Sequence, residues 1–65
     1  FTVEFVSTLQ RALQVRGLYT GAVTGNMDAR TRRAVLAVQS AAGLHSDVLS
    51  IETARELGIV AAPRG

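Results

Sequence analysis

The residues most able to do covalent chemistry are His45, the only histidine of the chain, and its neighbour Ser46. An imidazole base paired with a hydroxyl nucleophile drives acyl transfer only when a third group orients the base. Adjacent side chains usually point apart, and no catalytic constellation can be assembled around this pair. We therefore interpret His45 as a solvated loop residue rather than as a general base or a metal ligand.

Other patterns with catalytic potential are also weak. Glu52 and Glu56 lie one helical turn apart, a spacing more typical of a solvated helix face than of acid and base carboxylates. Gly21 and Gly25 are not followed by the Gly-Lys-Ser/Thr that marks a phosphate-binding loop. With no cysteine and one histidine, the chain cannot build a structural zinc site. The chain is therefore predicted not to be an enzyme by itself and to use no metal or other cofactor.

Residues suited to binding concentrate in one loop and at the predicted helix start that follows it. The unpaired amides of a helix N-terminus favour an anion, and Arg30 projects from the same turn. The candidate ligand-binding residues are Tyr19, Thr20, Thr24, Asn26, Arg30 and Thr31. Alternatives stay open for three of them: Tyr19 packs its ring on the core, Asn26 only shapes the turn, and the Thr31 hydroxyl bonds back to the helix cap.

These candidates must be positioned by helices, and the apolar spacing of the chain predicts the first of them over about residues 3 to 16. Val6, Leu9 and Leu13 recur on one face at helical spacing. Gly17 follows and supplies the left-handed residue that ends many helices.

Two more helices are predicted downstream. Helix 2 begins after the cap Asp28 and ends at Gly43, and a short helix 3 begins after the cap Ser50 and runs to about Leu57. The residues predicted to face inward outside helix 1 are Leu18, Val23, Met27, Thr31, Val35, Val38, Ala42, Leu44, Val48, Ala54, Leu57 and Ile59.

One pattern occurs twice, at 24–31 and at 46–53. Each copy opens with a hydroxyl residue, continues to the cap Asp28 or Ser50, and places a threonine three residues after the cap. A repeat of about 20 residues indicates one structural unit used twice, and neither copy could bury its apolar face alone. The chain is predicted to be an all-α, compact three-helix domain with a pseudo-repeated loop-helix unit. It is expected to span residues 1–60, with 61–65 as a linker or disordered tail.

In this order the elements resemble the peptidoglycan-binding-like domain, a three-helix, non-catalytic module attached to bacterial cell-wall enzymes and envelope proteins. The resemblance covers roughly residues 3 to 59. It rests on Leu9-Gln10-Arg11-Ala12-Leu13, Gly17-Leu18-Tyr19-Thr20-Gly21, the first copy running into Arg33 to Gln39, Gly43-Leu44 and the second copy. The chain departs from the family pattern at Thr24-Gly25, Asp28-Ala29 and Val38-Gln39, and in the second copy at Ser46-Asp47 and Ile51.

The resemblance implies a module that anchors or targets a larger protein to peptidoglycan in the bacterial cell envelope, whether periplasmic or secreted. Tyr19 would then cover a sugar face, and Arg30 would pair with a stem-peptide carboxylate. The alternative is a protein-interaction or assembly module that kept the fold but lost wall binding. This alternative rests on Val15 and Leu36, which fall on faces expected to be exposed. There they could form a patch for a partner or another domain.

Composition agrees with a small folded domain. The chain has 65 residues, 48% of them hydrophobic and 18% charged, with a net charge of +2. These values argue against disorder, and the lack of a long apolar run argues against a membrane-spanning helix. Among the seven arginines only Arg30, Arg32 and Arg33 cluster, and on a helix they do not form one stripe, so no nucleic acid partner is expected. A start at Phe1 without a leader is expected for a mature or excised piece of a longer protein.

Overall fold

The computed structural model describes residues 2–59, and this part of the chain is helical with no strand. The three helices are α1 (Val3–Val15), α2 (Ala29–Ala41) and α3 (Ile51–Glu56). Loop 1 (residues 16–28) joins the first two, and loop 2 (residues 42–50) joins the last two. The predicted all-α, three-helix class is confirmed. The predicted tail at 61–65 lies outside the described residues.

Each helix begins at a residue whose side chain caps it. Thr2, Asp28 and Ser50 each accept a hydrogen bond from the backbone N–H three residues further on, at 3.0, 2.9 and 3.1 Å respectively. These bonds satisfy one of the amides that has no partner within the first helical turn. The predicted caps of the second and third helices are confirmed.

The three helices also end in the same way. Gly17, Gly43 and Gly58 follow α1, α2 and α3 with φ values of 72°, 93° and 76°, the left-handed region that side chains disfavour. The residue after each glycine donates its N–H to a carbonyl five positions earlier, which pairs an acceptor that the helix leaves open. The pairs are Leu18 with Leu13, Leu44 with Gln39 and Ile59 with Ala54, at 2.9, 2.8 and 3.1 Å. The predicted stops at Gly17 and Gly43 are confirmed.

The core lies where the three helices and loop 1 meet. Its buried apolar residues are Leu9, Leu13, Tyr19, Ala34, Val35 and Leu57. Ala12, Met27, Val38, Leu49 and Ile59 pack against it while remaining partly exposed. Removal of this apolar surface from water, at about 25 cal/mol per Å², holds the helices together.

Four residues predicted to face inward are instead exposed. Leu44 and Val48, expected to plug loop 2, are 44% and 69% exposed, and Leu49 packs against the core in their place. The Val48 carbonyl is held inside the loop by a hydrogen bond, so the turn directs the Val48 side chain outward. Leu18 and Ala42 are exposed because both lie where a helix has already ended.

No helix within residues 2–59 is long and apolar enough to cross a membrane.

Candidate binding site at loop 1 and the start of helix α2

Loop 1 is organised by the side chain of Gln10, which projects from α1 and is completely buried. Its Oε1 accepts from the N–H groups of Thr24 and Gly25, at 2.9 and 3.0 Å. Its Nε2 donates to the Asn26 carbonyl at 3.1 Å, to the Thr24 hydroxyl at 3.2 Å and to the Thr31 hydroxyl at 2.9 Å. One amide group thus satisfies polar atoms along a loop that has no regular structure of its own.

Gln39 plays the same part for loop 2 from its place on α2, and it is also completely buried. Its Nε2 donates to the carbonyls of Ser46 and Val48 at 2.6 and 3.0 Å, and its Oε1 accepts from the Ser50 N–H at 2.8 Å. Both glutamines were missed as organising residues by the sequence analysis.

The two loops share two equivalent hydrogen bonds. The Asn26 N–H donates to the Thr24 hydroxyl at 3.2 Å, and the Val48 N–H donates to the Ser46 hydroxyl at 3.1 Å. The carbonyls of Asn26 and Val48 each accept from a buried glutamine. The predicted repeat is therefore confirmed at the level of individual hydrogen bonds.

Thr31 is a structural residue and does not reach a binding rim. It is completely buried, and its hydroxyl donates to the Asp28 carboxylate at 2.8 Å while accepting from Gln10. Thr53 pairs with the Ser50 hydroxyl in the same way, at 2.9 Å. The structural role predicted for both threonines is confirmed, but the partner is the side chain of the cap rather than its backbone. A ligand-contacting role for Thr31 is not compatible with its burial.

Tyr19 also turns inward. Only 4% of it is exposed, its ring belongs to the core, and its hydroxyl donates to the Ala22 carbonyl at 2.6 Å. The expectation that this ring covers a sugar face is therefore wrong, and the core-packing alternative is confirmed. A phenol can be buried here because the loop supplies an acceptor for its only strong donor.

The other four candidates, Thr20, Thr24, Asn26 and Arg30, are exposed. The Thr24 hydroxyl is occupied within the loop by Gln10 and by the Asn26 N–H, so its polar atom serves the turn. The side chains of Thr20, Asn26 and Arg30 carry the polar atoms that are left for a ligand.

Arg30 reaches from α2 back over loop 1. A Cβ added at Gly21 would lie 2.8 Å from both Cδ and Nη1 of Arg30, so the arginine side chain runs across the bare backbone of this glycine. A residue with a side chain at position 21 would displace Arg30 from the loop.

At the start of α2, the arginines Arg30 and Arg32 lie near the carboxylate of Asp28. The Thr31 N–H lowers the pKa of Asp28, and the Thr31 hydroxyl and the charges of Arg30 and Arg32 lower it further. Asp28 therefore stays ionised at neutral pH. The first turn of α2 contains no acidic residue, so the positive end of the helix and its arginines dominate the local field.

A second concave surface lies between the outer face of α2 and loop 2. This depression of about 190 Å³ is lined by Ala29, Arg32, Arg33, Leu36 and Asp47. The sequence analysis noted that the arginines of α2 form no single stripe. Arg32 and Arg33 nevertheless border the same depression, because positions 29, 32, 33 and 36 share one helical face.

Metal binding has no support in the described part of the chain. Among residues 2–59, no three His, Cys, Asp or Glu side chains come together in a group that could hold an ion.

Comparison with protein families gives one match. The family model described as "Putative peptidoglycan binding domain" matches residues 2–55, which is most of the chain. No curated protein and no solved structure matches the chain.

Proposed function

Because the chain belongs to this family of peptidoglycan-binding domains, we propose that it is a non-catalytic module that anchors a larger protein to peptidoglycan in the bacterial envelope, in the periplasm or outside the cell. The family match over residues 2–55 is the observation that carries the proposal. The exposed polar and cationic groups at loop 1 and the start of α2 support it.

The binding surface would consist of Thr20, Asn26 and Arg30, all exposed. Arg30 would pair with a carboxylate of the stem peptide, since a guanidinium donates two parallel hydrogen bonds to such a group. The Thr20 hydroxyl and the Asn26 amide would bond to sugar hydroxyl or amide groups. With Tyr19 in the core, this recognition depends on polar contacts and not on aromatic stacking.

A surface this shallow is expected to bind weakly, with a dissociation constant on the order of micromolar to millimolar. Weak binding is sufficient for an anchoring module on an insoluble polymer. A domain linked to it stays at a high effective concentration near the wall without any contact of its own.

Sedimentation with purified insoluble peptidoglycan tests the proposal. We expect the wild-type chain to co-sediment and Arg30→Ala to lower its apparent affinity by about tenfold, the loss typical of one charge-assisted contact. Arg11→Ala is the matched control, because Arg11 is an exposed arginine on α1. A wild-type chain that remains in the supernatant would remove the proposal.

The second candidate function is a protein-interaction module of the same fold that has lost wall binding. One observation favours it: Val15, on the last turn of α1, is 85% exposed, and Leu36, on α2, is 39% exposed. Apolar side chains grouped on a surface are typical of contact with another protein or domain.

A further inference from the structure

The depression beside α2, which we call the α2 pocket, takes no part in the surface around Arg30. Two separate elements form it, since α2 contributes Ala29, Arg32, Arg33 and Leu36 while loop 2 contributes Asp47. Gln39 fixes the loop 2 backbone on both sides of Asp47 through the carbonyls of Ser46 and Val48. The wall that carries Asp47 is therefore held in a defined position against α2.

The α2 pocket combines an apolar wall with guanidinium groups. Leu36, which is 39% exposed, and Ala29 present short aliphatic surface toward it. Arg32 is anchored by a hydrogen bond of 2.8 Å from Nη1 to the Met27 carbonyl. The Arg33 side chain has no hydrogen-bond partner within residues 2–59, so its fork of donors is available to a carboxylate.

Asp47 makes the pocket selective for the pattern of charges that its ligand carries. Two guanidinium groups attract an anion, but the carboxylate on the facing wall repels a chain of repeated negative charges such as a phosphate polymer. A ligand that carries a carboxylate, an ammonium group and a small alkyl group matches all three features. A neutral sugar has no charged group that would pair with the arginines or with Asp47.

We propose that the α2 pocket binds the carboxyl-terminal end of a peptidoglycan stem peptide. The terminal carboxylate pairs with Arg33, the methyl group of the terminal alanine packs on Leu36, and the ammonium group of the diamino acid faces Asp47. This inference rests on the proposed function and adds a second contact with the polymer, in which the α2 pocket recognises the peptide and not the glycan.

A titration followed by two-dimensional ¹H–¹⁵N NMR tests the inference on the 65-residue chain. The probes are a free stem tetrapeptide that contains a diamino acid and ends in D-alanine, the same peptide with an amidated terminus, and a glycan strand stripped of peptides. We expect the free peptide to shift the amide signals around Arg33 and Asp47, with a dissociation constant on the order of 0.1–10 mM. Amidation and Arg33→Ala should each weaken binding by about tenfold.

The control is Arg11→Ala, which should bind the free peptide like the wild type. The Arg33 side chain is exposed and makes no hydrogen bond within the described residues, so its replacement should leave the dispersion of the spectrum intact.

The outcomes separate this inference from the proposed function. Equal binding of free and amidated peptides, shifts confined to the surface around Arg30, or binding of the stripped glycan alone would each overturn the inference, while retention on insoluble peptidoglycan would still support the anchoring function. Peptide binding at the α2 pocket without retention on the polymer would support the inference and remove the anchoring function.

Discussion

A single buried amide determines the shape of loop 1. Gln10 bonds to the backbone at Thr24, Gly25 and Asn26, which are distant from it in sequence, and to the Thr31 hydroxyl. The usual cost of burying an amide is offset because both its oxygen and its nitrogen are paired. In the described residues, no buried side-chain nitrogen or oxygen is left without a partner.

Replacement of Gln10 should therefore be among the most damaging single changes. We expect Gln10→Met, which keeps the length but not the polar atoms, to lower the free energy of unfolding by about 2–4 kcal/mol, because the loop amides stay buried and unpaired. Chemical denaturation followed by circular dichroism measures this. A 65-residue domain has only about 3–10 kcal/mol in total, so this loss would be a large fraction of its stability.

Gln14→Met is the control for that measurement. Gln14 lies on the same helix and donates to the same loop, at the Gly21 carbonyl over 3.0 Å, but it is exposed. Water can replace its hydrogen bond, so a loss below about 1 kcal/mol is expected. Equal losses for the two variants would contradict the role assigned to Gln10.

The positions of these glutamines in the sequence indicate that they are buried, although the residue type does not. Gln10 lies between Leu9 and Leu13 on the inward face of α1, and Gln39 follows Val38 on α2. A polar residue inside an apolar stripe either lies at the edge of the stripe or is buried and hydrogen-bonded to groups elsewhere in the chain. Only the loop geometry decides between these, because the partners lie far away in sequence and are mostly backbone atoms.

At the scale of elements, the caps of α2 and α3 differ in one property. Both accept from the N–H and pair with the hydroxyl of the threonine three residues on, but Asp28 ionises and Ser50 does not. The folded state lowers the pKa of Asp28, chiefly through the Thr31 N–H. A carboxyl group with a lowered pKa contributes stability above its ordinary pKa and loses it as the pH falls through the lower, folded-state value.

The stability of the wild type should therefore contain a component that disappears in acid, below about pH 4. Asp28→Asn keeps an oxygen acceptor for Thr31 but removes the charge, so its unfolding midpoint should fall less between pH 6 and pH 2.5 than that of the wild type. Urea unfolding across this range measures the difference. Parallel curves for the two proteins would show that the Asp28 charge does not stabilise the cap.

Helix boundaries were the part of the fold that the sequence predicted best. Caps such as Asp28 and Ser50 and stops such as Gly17 and Gly43 act through local geometry, so their residue types carry the information. The insides of the loops were predicted less well. Leu44 and Val48 were placed inward on hydrophobicity alone, whereas hydrogen bonds from Gln39 set the course of the backbone there.

At the scale of the whole molecule, two kinds of surface compete as the place of contact with a partner. One is cationic and lies on α2, with Arg30 and the α2 pocket, and the other is the apolar end of α1 around Val15. The sequence predicted the family and the part of the first surface around Arg30, but it assigned Tyr19 and Thr31 to the ligand when both are buried. Burial of such residues depends on how loop 1 folds over the core, which periodicity does not reveal.

Val15→Ser separates the two surfaces. We expect it to change the free energy of unfolding by less than about 0.5 kcal/mol, since the side chain is 85% exposed, and to leave retention on peptidoglycan unchanged. Analytical ultracentrifugation of wild type and variant measures association of the chain with itself. Association that is lost in the variant would favour the protein-interaction function.

The two buried glutamines fix the shape of the loops, and other residues are left to determine which ligand is bound. Because each loop is held from beneath by an amide on a helix, some of its outward side chains are not needed for folding. Evolution can exchange those outward residues, such as Thr20 and Asn26, without remaking the loop. The same property makes the domain a scaffold for display, in which randomised positions on loop 1 would yield new specificities on an unchanged frame.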